Sequence, residues 1–196
     1  MTVAASDLRA TLRRRRRELS TREQRRAAQA LVQQLAPFVD QAPAGIVAAY
    51  EATDGEIAPA VAVEALEAEG WRTAYPRVDG SMQFHLAHRD ELVDGRWGLR
   101  EPAPSAPAVD PRDLSLVLTP LVGFDAACNR LGRGRAYYDN AFAFLLDRPR
   151  PTTVVMVGLA HDLQLVGHLE QGPHDVPLDA VATPTRIYGS MYATEA

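Results

Sequence analysis

Lysine is absent from this 196-residue sequence, and all 21 basic residues are arginine. The Walker phosphate loop needs Gly-Lys-Ser/Thr and is therefore excluded. The single cysteine, Cys128, cannot form an internal disulfide, which suits a reducing cytoplasm. No apolar run approaches the roughly 20 residues needed to cross a bilayer, and no apolar signal-peptide core follows Met1. Histidines 85, 88, 161, 168 and 174 lack the spacing and companion ligands of a zinc site. There is no internal repeat and no linker long enough to divide the chain, so one domain over 1–196 is expected.

What is present begins with an asymmetry. The net charge is -4, yet residues 1–36 carry nine arginines against Asp7, Glu18 and Glu23. Such a start suits phosphate, nucleic acid or a solvated helix face. Leu8, Leu12 and Leu19 form one helical stripe, and Ala27, Leu31 and Leu35 form another. Ser20 and Glu23 have capping-box spacing, so two consecutive helices meeting at Ser20 are expected within 7–36. Arg13 to Arg17 cannot share one face, but Arg9, Arg13 and Arg16 have the spacing of one stripe.

Strands are expected at Gly45–Tyr50, Trp71–Pro76, Leu114–Leu118 and Thr153–Gly158. Met82, Phe84 and Leu86 alternate like an edge strand with one covered face. Helices are expected at Pro59–Glu69 and Ala136–Leu146, and residues 102–112 read as a surface loop. Strands alternating with helices imply an α/β fold in three layers, an open and mostly parallel sheet with helices on both faces.

The segment Asn129-Arg-Leu-Gly-Arg-Gly-Arg-Ala-Tyr-Tyr-Asp139 lies after a strand and before a helix, where open α/β sheets bind ligands. Gly132 and Gly134 admit a ligand close to the backbone, and Arg130, Arg133 and Arg135 match phosphate geometry. Asp139 beside a polyphosphate requires a cation, which suggests Mg²⁺. Together these features describe a site for a nucleoside triphosphate.

The wider pattern is Pro120-Leu-Val-Gly-Phe-Asp125, Arg130-Leu-Gly-x-Gly134 and Tyr137-Tyr-Asp139. It resembles the signature of the 5-formyltetrahydrofolate cyclo-ligases. Leu8-Arg9, Tyr50 with Gly55-Glu56-Ile57, Tyr75-Pro76, Met82-x-Phe84, Trp97-Gly98-Leu99-x-Glu101-Pro102, Asp175-x-Pro177-x-Asp179 and Thr183-Pro184 follow in order. The resemblance implies an enzyme that cyclises 5-formyltetrahydrofolate to 5,10-methenyltetrahydrofolate, consuming ATP with Mg²⁺. It places ATP on Arg9 and on Arg130, Leu131, Gly132, Arg133, Gly134, Arg135, Ala136, Tyr137 and Tyr138. Arg130, Arg135 and Tyr137 would be catalytic, and Asp139 and Asp179 would hold the metal. Glu56, Met82, Phe84, Trp97 and Tyr137 would contact the folate. Small-molecule substrates, a monomer and the cytoplasm are expected; a membrane or nucleic-acid partner is not.

The chain departs from the family pattern at several places. Ala5 stands where a phosphate-binding lysine is common, and Arg135 replaces a loop lysine. Ala136 and Cys128 occupy positions where glycine is common, and Asn140 replaces an arginine. Three alternatives follow. One is a folate-binding paralogue with lost catalysis. Another is a sugar-phosphate isomerase-like enzyme using the loop for a phosphomonoester. The third is a basic nucleic-acid module on residues 9–26, which the acidic remainder disfavours.

Overall fold

The computed structural model describes residues 5–39, 44–95, 98–147 and 153–189. The chain opens with helices α1 (Ala5–Arg17) and α2 (Thr21–Val39), followed by β1 (Ile46–Ala48), α3 (Ala60–Ala68), β2 (Arg72–Asp79) and β3 (Ser81–Leu86). Short strands β4 (Val93–Asp94), β5 (Arg100–Glu101) and β6 (Ala108–Val109) come next, then β7 (Leu116–Pro120). The hairpin β8 (Gly123–Phe124) and β9 (Arg130–Leu131) precedes α4 (Tyr137–Ala141). Strands β10 (Val155–Leu159), β11 (Ala180–Ala182) and β12 (Ile187–Tyr188) complete the order.

The bend between the first helices forms as the capping box requires. Glu23 accepts from the Ser20 amide at 2.8 Å, and the Glu23 amide donates to Ser20 Oγ at 3.3 Å. α2 presents Ala27, Leu31 and Leu35 to the sheet, and all three are buried.

Eight strands form the main sheet in the order β12-β11-β10-β7-β1-β2-β3-β6. The five from β11 to β2 are parallel, with Val47 of β1 opposite Thr73 and Leu116. β12, β3 and β6 pair antiparallel at the flanks. Because side chains alternate across a strand, neighbours in β1 feed different cores. Val47 packs with Leu31, Val63 and Leu66 on the α2–α3 side, and Ile46 and Ala48 pack with Phe142 and Leu145 on the α4 side. Three layers and a mostly parallel α/β sheet are thus observed, as expected. A third cluster joins Leu12 of α1 to Val122 and Leu131 around the β8–β9 hairpin. No helix among the described residues is long and apolar enough to cross a membrane.

Three local expectations need correction. β3 is not the edge, because Ala108 and Val109 pair with His85 and Phe84, inside the stretch read as loop. The helix expected over 136–146 is one turn of α-helix followed by a 3-10 turn at Ala143–Leu146. Tyr138, Phe142, Phe144 and Leu145 all pack into the same core, and the backbone leaves the α-helical region at Phe142, with φ -112 and ψ 16. The strand expected at 114–118 runs instead from Leu116 to Pro120.

Candidate functional site

β1 is where the strand order of the parallel sheet reverses, since β2 lies on one side and β7 on the other. Open α/β sheets bind ligands beyond the carboxyl ends of strands at such a point. Here the chain leaves β1 through Tyr50 and Glu51 and leaves β7 at Pro120, and all three line a cavity of about 830 Å³. That volume accommodates a ligand of cofactor size.

One wall is the basic segment. Arg9, Arg130, Leu131, Gly132, Arg133, Gly134, Arg135, Ala136, Tyr137, Tyr138 and Asp139 all line the cavity. Arg9 Nε donates to the Gly132 carbonyl at 2.8 Å, which ties α1 to the loop. Gly134 has φ +90, a conformation glycine adopts without strain. Ala136 adopts the left-handed region too, at φ +50, immediately before α4. Arg130 pairs with Asp139 Oδ1, which also accepts from the Val176 amide at 3.1 Å. The Arg130 guanidinium carbon lies 5.9 Å from the Tyr138 ring centre. Arg130 Nη1 is buried and has no hydrogen-bond partner among the described residues.

The facing wall is acidic and aromatic. The turn from Thr53 to Glu56 is closed by Thr53 N–H donating to Glu56 Oε2 at 3.1 Å. Gly55 has φ +74, and a Cβ there would lie 2.9 Å from the Arg16 carbonyl of α1. Arg133 reaches across to this turn, meeting Glu56 Oε1 at 2.9 Å and Thr53 Oγ1 at 2.6 Å. Tyr50 donates to the Ile57 carbonyl at 2.6 Å, and Met82 adds apolar surface.

The charges are coupled. Burial alone would raise the Asp54 carboxyl, but the hydrogen bond from Arg13 and the charges of Arg13, Arg16 and Arg17 outweigh it and hold it below its ordinary value. Burial and the Glu56 charge push the Tyr50 phenol well up, and the same causes raise Tyr138. Both phenols therefore stay neutral and act as donors or ring surface. Burial pushes the Cys128 thiol up to about 11, which leaves it unreactive near neutrality.

Two expected residues fall elsewhere, and a third lies outside the described residues. Phe84 is 1% exposed and packs 5.6 Å from Phe142, inside the core rather than on the cavity wall. Asp179 accepts from the Met156 amide at 2.7 Å at the start of β10 and is not on the cavity wall. Trp97 lies outside the described residues, though its neighbours Gly98 and Leu99 line the cavity. Among the described residues no cluster of three or more His, Cys, Asp or Glu side chains is arranged to hold a metal.

The cavity also gathers residues the sequence reading did not assign to it: Arg13, Tyr50, Asp54, Glu170 and Asp175. Arg13 follows from the stripe it shares with Arg9. Asp54 neighbours the Gly55-Glu56 pair. Glu170 comes from a segment without periodicity, and no spacing marked it; Asp175 belongs to the Asp175-x-Pro177-x-Asp179 pattern, whose aspartate at 179 was the one assigned to the site.

The profile of the 5-formyltetrahydrofolate cyclo-ligase family matches residues 1–184. The 5-formyltetrahydrofolate cyclo-ligase of Escherichia coli strain K12 is 32% identical over 183 residues, covering 90% of this chain and 98% of that protein. The enzyme of the same name from Mus musculus is 26% identical over 192 residues, covering 91% and 92%. Among solved structures, the 5,10-methenyltetrahydrofolate synthetase of Mycoplasma pneumoniae has a TM-score of 0.73 at 26% identity, covering 93% of this chain and 99% of that one. The Aquifex aeolicus 5,10-methenyltetrahydrofolate synthetase, at 24% identity, shares the fold with a TM-score of 0.80 over 99% of this chain and 96% of its own. With a profile that spans most of its length and relatives of that name aligned nearly end to end, this chain belongs to the 5-formyltetrahydrofolate cyclo-ligase family of enzymes.

Proposed function

We propose that the protein cyclises 5-formyltetrahydrofolate to 5,10-methenyltetrahydrofolate at the expense of ATP, releasing ADP and phosphate. The observation that carries this reading is a single cavity with two chemically distinct walls. Arg9, Arg130, Arg133, Arg135 and the glycine loop form one, Glu56 and Met82 provide polar and apolar surface on the other, and Tyr137 at the end of the loop adds a ring for the folate heterocycle. Two substrates that must exchange a group need such shared space.

The chemistry sets the order of events. A formamide carbon is a poor electrophile and its oxygen a poor leaving group. Transfer of the γ-phosphoryl group from ATP to the formyl oxygen changes both, with ADP departing. N10 of the folate then attacks the activated carbon, the C–O bond breaks, and inorganic phosphate leaves. Loss of the N10 proton completes the methenyl bridge. In phosphoryl transfer the protein contributes mainly positioning and charge stabilisation. Arg130 and Arg135 are assigned to the charge that develops on the transferring group, and the unpartnered, buried Nη1 of Arg130 suits a phosphate oxygen. Glu56 accepts from pterin N–H groups, and Tyr137 packs against the folate.

Among the described residues seven carboxylates line the cavity beside six arginines. A polyphosphate in that setting calls for a cation, and Mg²⁺ commonly binds through one or two carboxylates plus substrate phosphates. Asp139, with Asp175 next to the Val176 amide it accepts, is the carboxylate that fits. When bound, the metal would supply charge neutralisation between nucleotide oxygens. Asp179 is withdrawn from this role because its carboxylate faces the Met156 amide instead.

The test is turnover. Purified protein is mixed with 5-formyltetrahydrofolate, ATP and MgCl₂, and the near-ultraviolet absorption of the product is followed. Product that requires ATP, with ADP formed in equal amount, supports the reading. Conversion without ATP would favour an isomerase-like reaction, and binding of both ligands without product would favour the inactive paralogue.

A further inference from the structure

Arg16 is a guanidinium in the core. Its side chain is 1% exposed and does not line the cavity. Leu12, one turn earlier on α1, fills the neighbouring core as an apolar residue. Burying a guanidinium in such a place is costly unless it is fully paired, so its partners are informative. Nε donates to the Asp54 carbonyl at 2.9 Å, Nη1 to the Leu121 carbonyl at 3.0 Å, and Nη2 to Asp54 Oδ2 at 3.2 Å. Nη1 also stands 3.9 Å from Glu56 Oε1.

These contacts fall on the turn that carries Glu56. The turn is pinned from a second side by His161, whose Nε2 must carry the proton to meet the Gly55 carbonyl at 3.2 Å. Glu56 Oε1 thus sees two cations of different kind. Arg133 belongs to the loop and is 42% exposed, so a substrate phosphate can draw it away. Arg16 is enclosed, anchored to the end of β7 through Leu121, and stays.

We propose that Arg16 is a positioning residue for the folate site: from behind the cavity wall it holds the 53–56 turn and aims the Glu56 carboxylate at the pterin, without touching either substrate. This rests on the reading of Glu56 as a folate contact. Arg16 keeps that carboxylate in place when Arg133 turns to the nucleotide, so its effect appears on one substrate only.

The experiment compares wild type, Arg16→Met, Glu56→Gln and the double variant, with KM for 5-formyltetrahydrofolate, KM for MgATP and kcat measured for each. Methionine keeps length and apolar packing while removing the fork. Arg16→Met raises the folate KM by about tenfold, and leaves the MgATP KM within about twofold. In the Glu56→Gln background the same change adds less than about twofold to the folate KM, because no carboxylate remains to be aimed. A role confined to bracing the fold predicts the opposite: a lower Tm and active fraction, an unchanged folate KM, and full additivity with Glu56→Gln. That outcome overturns the proposal. Should Arg16→Met not fold, Arg16→Lys carries the test, since it keeps a cation and loses the fork; a wild-type folate KM in that variant also overturns it. If Glu56→Gln itself leaves the folate KM unchanged, the reading of Glu56 falls and takes the proposal with it. A Glu56 defect without an Arg16 defect refutes the proposal alone.

Discussion

Cys128 and Ala136 stand where the family pattern commonly has glycine, and both have left-handed backbone, with φ +65 and +50. These two departures from the family pattern therefore fall where a side chain is strained. Ala136 is exposed, so replacing it removes no buried contact. Ala136→Gly relieves the steric cost and gives back part of it as unfolded-chain entropy, for a net gain of about 1 kcal/mol. Calorimetry should show Tm rising by about 2 °C for a chain of this size. Two further residue-scale outcomes follow from the site. Asp139→Ala keeps the wild-type circular dichroism but lowers ATP-dependent turnover at least about a hundredfold. Glu56→Ala weakens folate binding more than ATP binding by calorimetric titration, because its bond to Arg133 is replaceable by phosphate and the pterin bond proposed for it is not.

At the scale of elements, legibility followed the range of the interaction. The Ser20–Glu23 box closes within three residues, and its sequence signal is its structure. The stripe Ala27, Leu31, Leu35 is equally local, and Leu31 is fully enclosed. Leu31→Ala should cost about 3 kcal/mol in urea unfolding, with the KM for either substrate unchanged. Met82, Phe84 and Leu86 announced a strand, but not that two residues of β6 would cover its free side, since two residues carry no period. The same holds for β8 and β9, whose turn is shaped by Asp125 accepting from the Ala127 and Asn129 amides at 3.0 Å. The short α4 was hidden for another reason. Its aromatic residues satisfy a helical pattern locally, and the break at Phe142 leaves no mark in that pattern. The loop of the site was legible because glycine, arginine and aspartate are dense there. Glu170 was not, because nothing short of the fold brings it to the cavity.

On the scale of the whole molecule, α1 and the β1–α3 turn are joined by a charge network that depends on protonation. Burial holds the His161 imidazole below its ordinary 6.5. Below that pH the unfolded chain takes up a proton that the folded chain refuses, so stability falls as pH falls. Asp54 and Asp125 follow at lower pH. Burial would raise both carboxyls; arginine partners at Asp54 and hydrogen bonds from Asn129, Leu169 and Ala127 at Asp125 hold them below 3.8. Their contribution is complete above that value and is lost as pH drops through the lower folded values. Urea midpoints should therefore decline in two stages on acidification, and His161→Gln should remove the first. A midpoint unchanged between about pH 7 and pH 5 would contradict the buried neutral imidazole.

The strand order reverses at β1, and the cavity at that point is lined by the arginine-glycine loop and by the turn that carries Glu56. The account requires the two substrates to meet there and the formyl oxygen to receive the γ-phosphoryl group. The most direct measurement uses 5-formyltetrahydrofolate carrying ¹⁸O in the formyl group, with ATP and MgCl₂, and follows the label by mass spectrometry. One ¹⁸O in each released inorganic phosphate is the predicted result. Label recovered in water, with unlabelled phosphate formed alongside methenyl product, would contradict it.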